Sequence, residues 1–464
     1  MVGEVSIKKM LADIGIFGLG TMGENLCLNL VEKGFKVSIY NRTEEKTRKF
    51  YEKNRSLAII PTYNLKDFVE SIKKPRKILL LIKAGDPVDE AINHLLKHVE
   101  KNDIIIDAGN SHFKDSDRRY SELKKVGVNF FGIGISGGVE GARKGLSIMA
   151  GGSKEAFDEI KEILEKISAK YDGEPCFSYF GEGGSGHFVK IIHNGIEYAL
   201  IESISEIFFL LSKFFDHEKI SEIFNEWNKD ILSSFLLSAT VNILRKKENG
   251  KFLIDYILDK AEQKGTGKWS VEISLETGIP APAIAAAVFS RYISMMKESR
   301  VKYSKLYNLS KITNFSLDLE DIKKTLLVSI LLSYIQGIYL LKGSSFYNYN
   351  INVSEALRIW RAGCIIRGEI LNLLYKEYLN YEDILLSNNI KNILLESFQS
   401  FLKTLSFAFN NHLPFNVISA NYNYFIMVIN EKLPANLTQA LRDYFGAHGY
   451  KRIDKEGYFH TEWY

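Results

Sequence analysis

The first third of the chain alternates short, continuously apolar runs with stretches whose apolar residues recur every three or four positions. ADIGIFG, KVSIY, RKILLLIKAG, DIIIDAG and NFFGIGIS are the runs, and most end in Gly, Asn or Asp. They read as buried strands, and the amphipathic ENLCLNLVEKG and DEAINHLLKHVEKN between them read as helices. Strand and helix in alternation predict a parallel, doubly wound sheet. After about residue 185 the pattern changes to helical spacing, as in ISEIFNEWNKDILSSFLL. No proline interrupts the chain between Pro175 and Pro280, or between Pro282 and Pro414, so long helices are permitted there. Beyond Pro434, RDYFGAHGYKRIDKEGYFHTEWY is rich in Gly, His and aromatics, too short to bury a core of its own, and reads as an extended arm. The expected organisation is an α/β Rossmann-type domain over residues 1–184, an all-α domain over 185–434 and an extended C-terminal tail over 435–464.

Composition changes this picture little. With 464 residues, 46% hydrophobic and 25% charged, the chain belongs with ordinary globular proteins and not with disordered or fibrous ones. A net charge of +4 gives no reason to expect nucleic acid and leaves an anionic small molecule open. The three cysteines, Cys27, Cys176 and Cys364, show no metal-ligand or redox spacing and read as packed thiols in a reducing compartment. No signal-peptide pattern opens the chain, so a cytoplasmic location is expected. The longest uncharged stretch, TLLVSILLSYIQGIYLL from Thr325 to Leu341, reads as a buried core helix and not as a membrane span.

Gly18-Leu19-Gly20-Thr21-Met22-Gly23 follows the first apolar run and opens a helical pattern. In that context GxGxxG is a dinucleotide fingerprint, although a glycine-rich structural turn would look alike. The first glycine makes the turn, the second admits a pyrophosphate, the third lets helix pack on strand, and the helix N-terminus attracts the anion. The second strand ends in Asn41-Arg42-Thr43. An NAD site usually carries Asp or Glu there, whereas an arginine can pair bidentately with a 2′-phosphate, so NADP is favoured.

A second constellation lies in GHFVKIIHNGIEY, residues 186–198. Lys190 and Glu197, seven apart, fall within about 20° of one another on a helix, and His193 and Asn194 complete the stripe. Such a stripe also suits a solvated face. The preceding glycines of GEGGSGH, which allow close approach of backbone or ligand, favour a site with Lys190 as base and Glu197 as acid. A lysine base must be neutral, and burial is the means of making it so.

Taken together, GLGTMG, NRT, LIKAG, DAGNS, SGGVEGAR, GHFVKIIHNGIEY, FNEWN, QKGTGKW, WRAGCIIR and RDYFGAH resemble, in order and from Asp13 to Trp463, the 6-phosphogluconate dehydrogenase family of the pentose phosphate pathway. The resemblance implies oxidative decarboxylation of 6-phosphogluconate to ribulose 5-phosphate and CO2 with reduction of NADP, without a metal. It implies that Lys190 takes the C3 hydroxyl proton and that Glu197 protonates C1 of the enediol. Asn110 would touch nicotinamide and substrate, and Ser136, Gly137 and Gly138 would hold the carboxylate end. His193 and Asn194 would bond the sugar hydroxyls, and Tyr198, Lys264, Thr266 and Arg291 would form the phosphate pocket. Ile82, Lys83 and Ala84 would join the glycine turn and Asn41 to Thr43 as cofactor contacts. Arg442 and His448, in the tail, would complete the partner's site in a homodimer.

QKGTGKW also mimics part of a P-loop, but Glu262 stands where the first glycine should be and Trp269 replaces the Ser or Thr. Three departures from the family pattern stand out. Val139 replaces a glutamate common among relatives, so a nearby substrate contact is expected to be lost. Gly20 and Thr21 stand where alanine and valine are common, which should not harm phosphate binding. The ending at HTEWY, without a glycine-rich extension, suggests a weaker outer grip on the partner. Two other readings share part of this pattern. A non-decarboxylating β-hydroxyacid dehydrogenase, such as one for 3-hydroxyisobutyrate, would lack the QKGTGKW and RDYFGAH elements. A silent NADP-binding regulatory protein would be expected to have lost Lys190 or Glu197.

Overall fold

The structure, a computed structural model, describes residues 11–263, 265–307, 309 and 315–464. Five parallel strands come from the five apolar runs: β1 (Ile14–Phe17), β2 (Val37–Tyr40), β4 (Lys77–Leu80), β5 (Ile104–Asp107) and β6 (Asn129–Ser136). Three further strands, β3 (Ile59–Pro61), β7 (Ser147–Gly152) and Phe177–Tyr179, complete an eight-stranded sheet. Its order from one edge is Phe177–Tyr179, β7, β6, β5, β4, β1, β2, β3. Alternation sends Ile78, Leu80 and Ile105 into one apolar cluster with Phe68, Val88 and Leu95. Leu79, Ile104 and Ile106 point the other way, towards Leu26, Leu30 and Ile163. The sheet is therefore covered by helices on both faces.

One expectation needs correction. β7 runs antiparallel to β6, and Phe177–Tyr179 pairs parallel with β7, so the sheet is mixed. Between β6 and β7 stands only the seven-residue helix Gly138–Lys144, too little chain for a parallel crossover.

The helix Ser185–Leu211 leaves the sheet edge and runs through the helical part, which we call the central helix. Its N-terminal turns press onto β6 and β7, where a Cβ on Gly186 would fall 2.4 Å from the carbonyl oxygens of Gly132 and Met149. The helix Leu319–Lys342 packs beside it. Thr325–Leu341 lies within this helix, and its Ser329, Ser333 and Gln336 are buried and bonded to Asn421. Those polar groups find their partners inside the core, as buried groups must. Cys27, Cys176 and Cys364 are buried free thiols. Two small ribbons, Lys247–Glu248 with Lys251–Phe252 and Lys170–Tyr171 with Glu174–Pro175, interrupt the otherwise helical and loop texture beyond the main sheet.

The tail also differs from an extended arm. It begins as the helix Ala435–Gly446, and the rest folds back onto it. Asp443, fully buried, accepts hydrogen bonds from the amides of Gly449 (2.8 Å) and Thr461 (3.1 Å), from His460 Nδ1 (2.9 Å) and from Trp463 Nε1 (2.8 Å). One carboxylate thus gathers the last turn and the chain end, which hydrophobic patterning does not register.

Candidate active site

Two cavities meet at the C-terminal ends of the parallel strands, where ligands bind in open α/β sheets. The first, about 390 Å³, is lined by Gly18, Gly20, Asn41, Arg42, Thr43, Ile82 and Lys83. Gly18 has φ +114°, and a Cβ there would lie 2.5 Å from the Leu81 carbonyl oxygen, so only glycine makes this turn. Gly23 lets the helix Thr21–Glu32 settle on the turn, because a Cβ would fall 2.0 Å from the Gly18 carbonyl oxygen. Asn41 Oδ1 accepts from the Leu19 amide at 3.0 Å, fixing the turn to the end of β2. Leu19 itself is buried. Leu19, Thr21, Gly23 and Ala84 do not line this cavity, whereas Lys46, Glu90 and His94 do. Lys46 lies in the first turn of the helix Glu44–Lys53, just past Arg42, and brings a second cation to the cavity.

The second cavity, about 530 Å³, shares Leu81 and Ile82 with the first. Met22, Asn110, Ser136, Gly137, Gly138, Lys190, Asn194, Glu197, Tyr198, Thr266 and Arg291 all line it. The chain therefore brings the turn, the loop after β5, the end of β6 and the central helix to one place. Glu262, Gln263 and Ile365 line it too; they lie in or beside QKGTGKW and WRAGCIIR, but the sequence assigns none of them a role.

The polar stripe of the central helix is not a solvated face: Lys190 and Asn194 are each 6% exposed and His193 0%, while Glu197 is partly buried. Burial lowers the pKa of Lys190, against the opposing charge of Glu197 and the thiol of Cys364. Burial likewise raises that of Glu197, against the charges of Lys190 and Arg291. Each group is pushed towards its neutral form, the form a base and an acid need to begin with. His193 stands behind the wall and does not line the cavity. At the far end, the Arg291 guanidinium stacks 3.4 Å from the centre of the Tyr198 ring, beside Thr266 at the start of the helix Thr266–Thr277. An arginine, a hydroxyl and a helix N-terminus are groups that attract an anion. Lys264 lies outside the described residues. Arg442 and His448 are exposed and belong to neither cavity of this chain.

The comparisons bear on what these cavities serve. Residues 13–181 match the model described as the NAD binding domain of 6-phosphogluconate dehydrogenase, and residues 186–463 match its C-terminal domain. The chain is 46% identical to the NADP(+)-dependent, decarboxylating 6-phosphogluconate dehydrogenase of Bacillus subtilis, over 97% of this chain and 98% of that one. It is 44% identical to the decarboxylating 6-phosphogluconate dehydrogenase of Escherichia coli K12, with the same coverage. Among solved structures it superposes on Plasmodium falciparum 6-phosphogluconate dehydrogenase with a TM-score of 0.93 and 43% identity, covering 97% of this chain and 100% of that one. That protein is described in its apo form, with its cofactor NADP+ and with its substrate 6-phosphogluconate. With both domains matched and the likeness running nearly end to end, this chain belongs to the 6-phosphogluconate dehydrogenase family.

Proposed function

We propose that the chain oxidises 6-phosphogluconate with NADP and decarboxylates the product to ribulose 5-phosphate, with Lys190 as base and Glu197 as acid. The observation that carries this reading is the pair itself: a lysine and a glutamate two turns apart on one buried helix, both facing one cavity and both biased to neutrality. The first cavity suits NADP, because glycines leave room at a helix N-terminus while Arg42, Lys46 and Lys83 supply positive charge and no carboxylate ends β2. When bound, NADP accepts the hydride from C3.

The remaining steps belong to the chain. Lys190 removes the proton of the C3 hydroxyl as the C3 hydrogen departs as hydride. The β-keto acid so formed loses C1 as CO2, and protonated Lys190 stabilises the enediolate at the carbonyl oxygen. Glu197 then delivers a proton to the carbon that lost CO2. Ser136 and the backbone of Gly137 and Gly138 offer donors for the carboxylate end, Asn110 and Asn194 for hydroxyls, and Tyr198, Thr266 and Arg291 for the phosphate. Catalysis needs no metal in this scheme.

The same proposal includes a homodimer. Phe289, Ile293, Met427, Ile429, Leu437, Leu441 and Phe445 are exposed on the helices Pro282–Met295, Asn416–Ile429 and Ala435–Gly446. Apolar residues gathered in such number on a surface suit a partner of the same kind. Arg442 and His448, exposed on the folded tail, are then free to enter the partner's cavity. The domain limits 1–184, 185–434 and 435–464, and a cytoplasmic location, are part of this reading.

Turnover of Lys190→Ala tests it. Loss of about 100- to 10,000-fold in kcat with NADP binding intact is expected, and near-normal turnover would remove Lys190 as the base.

A further inference from the structure

Behind the wall of the larger cavity, polar groups from three elements converge on the imidazole of His193, which is fully buried. Around Nδ1 stand Asn194 Oδ1 at 3.1 Å, Lys190 Nζ at 3.4 Å and, more distantly, Glu197 Oε2 at 3.9 Å. Around Nε2 stand Cys364 Sγ at 2.9 Å and Ser136 Oγ at 3.1 Å. The Ser136 hydroxyl is itself held by the Ile365 amide, which donates to it at 3.4 Å. Burial alone, before any charge on Lys190 is counted, holds His193 well below its ordinary pKa, so the ring is neutral. A neutral imidazole donates from one nitrogen and accepts at the other.

The partners decide which. Oxygen acceptors face Nδ1, and both groups at Nε2 carry a donatable proton. Burial pushes the Cys364 thiol up to about 12, so it keeps that proton throughout the physiological range. The hydrogen-bond chain then runs consistently from thiol to Nε2 and from Nδ1–H to the Asn194 carbonyl.

We propose that Cys364 is a positioning residue: its thiol, donating to Nε2, holds the His193 proton on Nδ1, so that an N–H and not a lone pair faces the amine of Lys190. An ammonium at that distance would set donor against donor, whereas a neutral amine accepts. The tautomer thereby acts with burial to keep Lys190 ready to take a proton. Among the described residues, the other titratable groups acting on Lys190 are Glu197 on its own helix and Cys364 itself, and β6 meets the lysine stem with Gly134. The inference rests on Lys190 being the base.

The test is the pH dependence of kcat/KM in wild type, Cys364→Ala and Cys364→Ser, with neutron diffraction of wild-type crystals. Without the thiol, His193 can turn to the other tautomer by donating from Nε2 to Ser136, and Lys190 then meets a lone pair that favours its charged form. The acidic limb of the Cys364→Ala profile is expected to move up by about one pH unit, and Cys364→Ser, which keeps a donor, to restore it. A role in packing alone would change stability without moving that limb. An unmoved limb in a folded Cys364→Ala enzyme, or nuclear density for hydrogen on Nε2 in wild type, overturns the proposal. Turnover by Lys190→Ala would instead overturn the base on which it rests, while the neutron map still reads the tautomer.

Discussion

Gly134→Ala probes how the sheet positions the base. Gly134 lies on β6, and a methyl group there would sit 2.3 Å from Lys190 Cβ, 2.9 Å from its Cγ and 3.1 Å from the Gly186 carbonyl oxygen. Carbon atoms in ordinary contact stand about 3.5–4.0 Å apart, so the lysine stem must retreat by more than about 1 Å. The fully buried Val189, Ile191 and Ile192 beside it leave the central helix little freedom to follow. Overpacking of this kind costs about 1–3 kcal/mol of stability, which a domain of this size survives. A displacement of about 1 Å at a catalytic group costs roughly 100-fold in rate. The expected result is a folded protein with kcat down about two orders of magnitude and NADP affinity nearly unchanged, because the cofactor cavity lies on other elements. Steady-state kinetics, NADP titration and a thermal melt together read this outcome. A folded variant with kcat within twofold of wild type would refute the reasoning that the glycine gap sets the lysine's position.

Three further outcomes follow from named groups. Because Lys190 must be neutral and Glu197 protonated, and burial lowers the first pKa and raises the second, kcat/KM should trace a bell. Glu197→Gln should flatten its alkaline limb, and an alkaline limb that persists unchanged would remove Glu197 as the acid. Arg42→Ala should cost about 2–3 kcal/mol towards NADP, roughly 30- to 150-fold in kcat/KM, with little change towards NAD; equal losses for both would deny the 2′-phosphate contact. Glu206 accepts the amides of Val417 at 2.7 Å and Ile418 at 3.0 Å, yet burial pushes its carboxyl up from 4.5 to about 8. Its folded pKa is the higher one, so its contribution to stability is complete below about 4.5 and is lost as pH rises through about 8. Denaturant midpoints of Glu206→Gln should therefore fall less steeply than wild type across that window, and parallel curves would contradict this.

Much of the fold was legible because the chain announces it locally. Continuous apolar runs ending in turn residues gave β1, β2, β4, β5 and β6, and glycine spacing in a strand–turn–helix setting placed the cofactor cavity. β3 is only three residues, Ile59–Pro61, too short for a periodic signal. The antiparallel course of β7 depends on the length of the chain before it, which apolar runs do not encode. The stripe on the central helix was visible as spacing, but its burial was not, because other elements cover it from far along the chain. Cys364 lies 171 residues from His193, and nothing in its local sequence joins the two. In the tail, aromatic and glycine content suggested an arm, whereas Asp443 folds it through four polar contacts.

The most direct test of the account is to follow NADPH and CO2 together when the purified protein meets 6-phosphogluconate and NADP. The two-step chemistry assigned to the Lys190–Glu197 helix predicts one CO2 for each NADPH, with both lost in Lys190→Ala. NADPH formed without CO2 would contradict the account and make the chain a simple hydroxyacid dehydrogenase.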